Sequence, residues 1–358
     1  MKLRITLVVL SCLVSLATGL VLARGGKSGA AGQVGRKPRI GLSLDTLKEE
    51  RWQRDRDTFV RRATELGAEV KVQSANGDDV RQVNDIRALI TEGVDVIVIA
   101  PHNGEAMSAA VAECQAAGIP VFAYDRLIKN CAIDLYMSFD NERVGELQGQ
   151  FLVTALARQG GGRKRIVRIY GAKTDNNAAQ FKAGQDKALA AAIQSGAIEV
   201  AHEDWAEDWK PENAKKITNA ALSKAGPTID AILASNDGTA GGAIQALLEE
   251  GLAGKVIVTG QDAELAACQR VVGGTQSMTI YKPLKRVAEL AAETAVKMAR
   301  GQPIVATATI DNGTLAVPAI LVDVVAVTKE NMDATVIAEG FHPRAAVYRG
   351  LEKMEDGR

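Results

Sequence analysis

Two short segments stand out for the chemistry they could do. Asp125-Arg126 follows the apolar run 120–124, and Gln261-Asp262 follows 256–259. Each sets a carboxylate beside a nitrogen donor. Similar groups close the other apolar runs: Asp45 with Arg51-Trp52 just beyond it, Pro101-His102-Asn103, Asp175-Asn176-Asn177, Ser235-Asn236-Asp237 and Lys282-Pro283. Planar and forked side chains of this kind donate and accept hydrogen bonds in pairs. That is the chemistry of holding a neutral, hydroxyl-rich molecule such as a sugar. A sugar also presents a C–H face that needs a flat apolar wall, and Trp52, Trp205 and Trp209 all lie near these segments.

Other chemistries lack their parts. Phosphate binding wants a glycine-rich turn after the first strand, and Asp45-Thr46-Leu47-Lys48 has none. Gly160-Gly161-Gly162 precedes a strand instead of opening a helix, which marks a solvated loop. No HExxH, CxxC or GxSxG occurs, and the three histidines stand at unrelated places. Asp140-Asn141-Glu142 lacks the central glycine and alternating oxygens of a calcium loop. Nothing in the pattern reads as catalysis, and no cofactor is implied. The plainer reading of each residue stands beside the functional one. Strand-end carboxylates also cap helices, and Trp52 shares helical spacing with Phe59, Ala63 and Leu66, as a core residue would. Trp205 and Trp209 are flanked by Glu203, Asp204, Glu207, Asp208 and Lys210, which is too polar for deep core; one of the pair is expected to face a cleft.

The elements that position these residues are βα units. Strands are expected over 39–44, 68–73, 94–100, 120–124 and 135–139, then over 166–170, 198–202, 229–234, 256–259 and 278–281. Helices such as 49–66, 80–91 and 105–117 lie between them. Strands apolar on both faces and joined by helices predict an α/β fold with parallel sheets covered on each side. Ligands bind such sheets outside the carboxyl ends of the strands, where the polar residues collect. The two sets also match in order. Val94-Asp95-Val96-Ile97 parallels Ile229-Asp230-Ala231-Ile232, and each is followed by a helix, a glycine and a strand ending at Asp125 or Asp262. The reading is a doubly wound domain written twice, with two lobes facing each other across a cleft.

At the amino terminus Lys2 and Arg4 precede an uncharged apolar run, 5–23, laid out as a secretory signal; a retained anchor is the alternative. Residues 24–37 are Gly-rich and basic, like a tether. Six of the 43 basic residues and none of the 43 acidic ones lie in 1–37, so the body is mildly acidic. That argues against a nucleic-acid surface, which needs clustered Lys and Arg. In an exported, oxidising setting Cys114, Cys131 and Cys268 allow at most one pair. Cys114–Cys131 is conceivable, and inert buried thiols are the simpler state.

The segments Glu50-Arg51-Trp52-Gln53, Val72-Gln73-Ser74-Ala75-Asn76-Gly77, Ala123-Tyr124-Asp125-Arg126 and Ser138-Phe139-Asp140-Asn141-Glu142 carry a resemblance. So do Asp175-Asn176-Asn177-Ala178, Trp209-Lys210-Pro211-Glu212-Asn213-Ala214, Ala234-Ser235-Asn236-Asp237, Gly260-Gln261-Asp262-Ala263 and Tyr281-Lys282-Pro283. Over residues 38–345 the chain resembles the type I periplasmic sugar-binding proteins of ABC importers, and among them the receptors for pentoses such as D-xylose. The resemblance implies two doubly wound parallel-sheet lobes joined by a three-segment hinge: 38–142 with 283–315, and 143–282 with 316–345, followed by a tail, 346–358. It implies a monomer that binds one monosaccharide in the cleft and serves an inner-membrane ABC permease. Arg51, Arg126, Asn177, Asn236, Asp262 and Lys282 would bond the sugar hydroxyls. Trp52 and Trp209 would sandwich the ring, with Asp125 and Gln261 in or beside the site. Another aldose (ribose or glucose), or a sensor kinase as partner, is the alternative. His102 departs from the pattern, standing where an aromatic is expected, and the cysteines and basic tether are unfamiliar. A regulator would need a helix-turn-helix where the signal and tether stand.

Overall fold

A computed structural model describes residues 36–225 and 228–350, so the expected signal and most of the tether lie outside the described residues. The first lobe opens with β1 (Arg39–Leu44), α1 (Glu50–Glu65), β2 (Glu69–Ser74), α2 (Asp79–Thr91), β3 (Val96–Ala100), α3 (Ser108–Ala116), β4 (Val121–Tyr124) and β5 (Leu135–Phe139). The second holds α4 (Asn141–Gln159), β6 (Lys164–Tyr170), α5 (Asn176–Gln194), β7 (Ile198–Trp205), α6 (Pro211–Ala225), β8 (Ala231–Ala234), α7 (Asp237–Glu249), β9 (Ile257–Val258), α8 (Leu265–Gly273) and β10 (Thr279–Tyr281). After it come α9 (Leu284–Ala299), β11 (Ala308–Asp311), β12 (Ala316–Val322), β13 (Val325–Val327) and α10 (Arg344–Val347). The ten expected strands form, with ends shifted by at most three residues.

The first lobe is built on a seven-stranded sheet, β11-β12-β5-β4-β3-β1-β2, parallel except at the β11 edge. In β3, Val96, Val98 and Ala100 face one core layer while Ile97 and Ile99 face the other, as a strand buried on both sides requires. The second lobe has the parallel sheet β7-β6-β8-β9, again with a core on each face. Here the expected tenth strand departs from the parallel pattern: β10 pairs antiparallel with β13.

The predicted internal repeat is visible in the backbone. Asp95 accepts from Arg39 N at 2.7 Å, and Asp230 accepts from Arg165 N at 2.7 Å, each carboxylate tying the entry of the third strand to that of the first. Asp125 (φ 64°) and Asp262 (φ 100°) both leave the extended region, and their N–H groups reach the next strand at Met137 O (2.7 Å) and Ile280 O (2.8 Å). The chain crosses between lobes at Asp140, at Lys282-Pro283 and at Asp323-Val324.

Two expected boundaries are corrected. Residues 316–322, assigned to the second lobe, form β12, which runs parallel to β5 in the first sheet with Ala319 opposite Tyr136. Burial of Val317 and Ala319 in the first core explains the choice. Residues 346–350, expected as tail, begin within α10, where Val347 is buried against the second lobe. The elements close to the cleft are held tightly. Asp175 caps α5 by accepting from Asn177 N at 2.9 Å, and Asn236 with Thr239 forms a capping box on α7. Helices α4 and α5 pack so closely that any side chain at Gly184 would meet the Glu142 carbonyl. Cys114 and Cys268 are buried and Cys131 half-buried, all three as free thiols.

Candidate functional site

The cleft holds a pocket, and all ten residues expected from the sequence to bind ligand line it. From the first lobe come Arg51 and Trp52, on the first turn of α1, and Asp125 and Arg126, on the turn after β4. From the second come Asn177 at the start of α5, Trp209, Asn236 at the cap of α7, Gln261 and Asp262 after β9, and Lys282 after β10. Glu49, Asp175, Phe181 and Glu264 complete the wall, and these were not picked out. Asp175 stands among the strand-end groups seen in the sequence, whose carboxylates either line a site or cap a helix, and here it does both.

Arg51 is the hub. Its guanidinium donates from Nη2 to Asp125 Oδ1, sits 3.8 Å from Asp262 Oδ1 through Nη1, and lies 3.9 Å from Asp55 Oδ2 through Nε. The two aspartates at equivalent points of the repeat thus converge on one cation. Arg126 makes the second bridge, from Nη1 to Asp45 Oδ2 at 2.7 Å and from Nε to Asp175 Oδ2 of the opposite lobe at 3.2 Å. Both guanidiniums stack over Trp52, at 4.6 and 5.3 Å from the ring centroid. Trp52 is 3% exposed and packs with Phe59 and Ala63, so it belongs to the core while also lining the cavity.

On the other wall Trp209 donates from Nε1 to Asp175 Oδ2 at 3.2 Å. Its ring fits only because residue 171 is glycine; a Cβ there would overlap the indole. Asp208 and Trp209 both adopt left-handed backbone (φ 54° and 58°), strain of the kind found where a side chain must be aimed. Trp205 packs on Tyr170 instead, with centroids 4.9 Å apart. Lys282 is 1% exposed, 3.3 Å from Asp262 Oδ1 and over the rings of Phe139 and Phe181. Asn177 Nδ2 donates to the carbonyl and the carboxylate of Asp125 across the cleft, at 3.1 and 3.3 Å. Asn236 Oδ1 is committed to the cap, accepting from Thr239 N at 2.8 Å, so its amide hydrogens are what it can offer the cavity.

Protonation follows from these neighbours. Burial pushes the Asp125 carboxyl up, but Arg51, Lys282 and Arg126 outweigh it and hold it below the usual range. Asp175 is raised, by burial first and by Asp125 next, against the pull of Arg126. Behind the wall, burial drives Asp55 up to about 7, even with Arg51 close by and Tyr124 donating to it at 2.9 Å. His102 is not part of this lining and stands instead in the wall of an adjoining chamber. Its Nδ1 is 3.0 Å from Asp45 Oδ1, a hydrogen bond that raises its pKa above the ordinary value.

The lining contains no Ser, Thr, Cys or His, and its carboxylates are interleaved with cations. Among the described residues no three His, Cys, Asp or Glu side chains converge as a metal site. Two buried acceptors are left for a ligand's hydroxyls: Gln261 Oε1 makes no hydrogen bond within the protein, and Asp262 Oδ1 makes only its ion pairs with Lys282 and Arg51. Such a lining can both donate to and accept from a small polar molecule, with Trp52 and Trp209 among its walls.

Comparisons with known proteins bear on the family and the fold. The family model described as "Periplasmic binding protein domain" matches residues 40–303. The D-xylose-binding periplasmic protein of Haemophilus influenzae is 49% identical over 310 residues, 87% of this chain and 92% of that one. The Escherichia coli protein of the same name is 49% identical over 304 residues, 85% and 91% of the two chains. Among solved structures, a carbohydrate transporter solute-binding protein from Chloroflexus aurantiacus, in complex with D-glucose, superposes with a TM-score of 0.81 at 31% identity, covering 87% of this chain and 98% of that one.

Proposed function

Since the chain belongs to the periplasmic binding protein family, we propose that it is a D-xylose receptor that closes around the sugar in the periplasm and delivers it to an ABC permease. The observation that supports this most directly is the shared lining. Neither lobe alone surrounds a sugar, and Arg51 and Arg126 of the first lobe meet Asp262 and Asp175 of the second. A ligand that bonds to both walls favours the closed arrangement over the open one, and only such differential affinity shifts the population. Each hydroxyl bonded to a buried polar group also adds selectivity. A sugar lacking it leaves that group unpaired, at a cost of about 1–3 kcal/mol. The relatives named for D-xylose share half of this sequence across most of its length, which supports the pentose as ligand.

Glucose is the second reading, favoured by the D-glucose in the Chloroflexus aurantiacus structure. Calorimetry and intrinsic tryptophan fluorescence on the purified protein, titrated with D-xylose, D-ribose and D-glucose, distinguish the two. We expect saturable one-to-one heat with D-xylose and binding of D-glucose at least tenfold weaker. Tighter binding of glucose would transfer the assignment to it, and no heat with any aldose would end the sugar reading.

A further inference from the structure

The Asp262 carboxylate projects into the cavity from a turn that the polypeptide does not adopt easily. Asp262 and Ala263 have φ values of 100° and 50°, and neither is glycine. Residues hold such backbone only where the surroundings over-determine it. Besides Cys268 Sγ, which lies 3.4 Å from Ala263 O, three contacts fix this turn. Asp262 N donates to Ile280 O at 2.8 Å, and Ala263 N to Thr279 Oγ1 at 3.2 Å, both from β10. The third comes from far along the sequence: His342 Nε2 lies 2.8 Å from Ala263 O. A carbonyl oxygen only accepts, so Nε2 carries the proton and donates.

His342 belongs to a strap, 339–347, that follows the last strand and spans both lobes. The Phe341 ring packs against the core layers of each. On the first-lobe side Arg54, three residues past Arg51 on α1, donates to Phe341 O at 3.2 Å and stacks over its ring at 5.1 Å. On the second-lobe side Phe341 meets Tyr281 at 5.1 Å, the Tyr281 hydroxyl donates to Glu339 at 3.1 Å, and Gln269 Nε2 donates to Ala346 O at 2.8 Å. Tyr281 is the residue before Lys282. The strap therefore touches the immediate neighbours of two lining residues, Asp262 and Lys282, without entering the cavity.

We propose that this strap positions the sugar site, with His342 acting through Ala263 to hold the Asp262 carboxylate at its working angle. The proposal rests on the sugar reading above. Losing the Nε2 donor frees the turn to relax toward ordinary backbone, and the carboxylate swings away from Arg51 and Lys282. The test measures D-xylose affinity and melting temperature together in wild type, His342→Ala, His342→Gln and His342→Asn. Glutamine can carry an amide N–H to the place of Nε2, whereas the shorter asparagine reaches only to that of Nδ1. We expect about tenfold weaker binding for alanine and asparagine and recovery to within about threefold for glutamine. Leu247→Ala, in the core of the second lobe away from the strap, is expected to lower the melting temperature while leaving affinity within about twofold.

Wild-type affinity in all three His342 variants overturns the proposal. So does a loss in Leu247→Ala as large as that in His342→Ala, since affinity would then follow general stability. Should His342→Ala fail to fold, glutamine against asparagine decides it, equal affinity in the two being the overturning result. A wild type that binds no sugar overturns the sugar reading, and the strap's role with it.

Discussion

At the residue scale, the side chains that could be picked out from sequence are those whose role is set by where a strand ends. Asp125, Asn177, Asn236, Asp262 and Lys282 each follow an apolar run within seven positions, and the cavity gathers them. Phe181 and Asp55 were not legible, because each lies inside a helix with nothing local to separate it from an ordinary core or surface residue. For the cavity itself, Trp209→Ala and Asp262→Ala are each expected to weaken D-xylose binding more than tenfold by calorimetry. The first removes an apolar wall, and the second leaves Lys282 and Arg51 short of a carboxylate. Asp55 calls for a different measurement. Its pKa is about 7 when folded, against an ordinary value of 3.8, so between those limits the folded state holds a proton that the unfolded chain has released. The contribution to stability is therefore full below about pH 4 and lost as pH rises to about 7. Asp55→Asn cannot titrate, so urea unfolding should show the variant gaining on wild type across that window by on the order of a few kcal/mol, then running level above it. Parallel curves would mean that the buried acid stays ionised throughout.

At the scale of elements, two-sided strands and their glycine-punctuated helices could be read because periodicity and burial agree, as in Val96–Ala100. β11 and β12 could not be read as readily. β12 contains Pro318 opposite Thr309, a residue that argues against a strand, and it is tolerated here beside the edge strand β11. Misreading it moved the third crossing from Asp323-Val324 back to residue 316. The contact between α4 and α5 is likewise invisible in a helical pattern, since small residues mark close approach only once the partner is known. Gly184→Val should lower stability by about 1–3 kcal/mol, because the new side chain collides with the Glu142 carbonyl and the Glu146 amide. Gly162→Ala, whose Cβ would meet open space, should leave the melting temperature unchanged. Equal shifts would show that the contact between α4 and α5 does not govern the effect.

At the scale of the whole molecule, the two lobes meet through protein–protein contacts, which on the proposed reading would hold closure alongside the sugar. Asp175 is the centre of one such latch, receiving Arg126 from the opposite lobe and Trp209 from its own. If those contacts favour the closed form before sugar arrives, the free protein populates that form in part, and apparent affinity scales with the fraction that is competent. Asp175→Asn separates this effect from damage to the fold. Asparagine caps a helix about as well as aspartate, so α5 keeps its amide acceptor for Asn177 N, while the charge that draws Arg126 across the cleft is gone. The expected result is about tenfold weaker apparent binding of D-xylose with an unchanged melting temperature. Solution scattering should show a larger radius of gyration for the free variant than for the free wild type, and the same radius for both at saturating sugar. Equal radii in the free proteins, with affinity still lost, would place the aspartate's whole effect in direct contact with the ligand and none in the balance between open and closed.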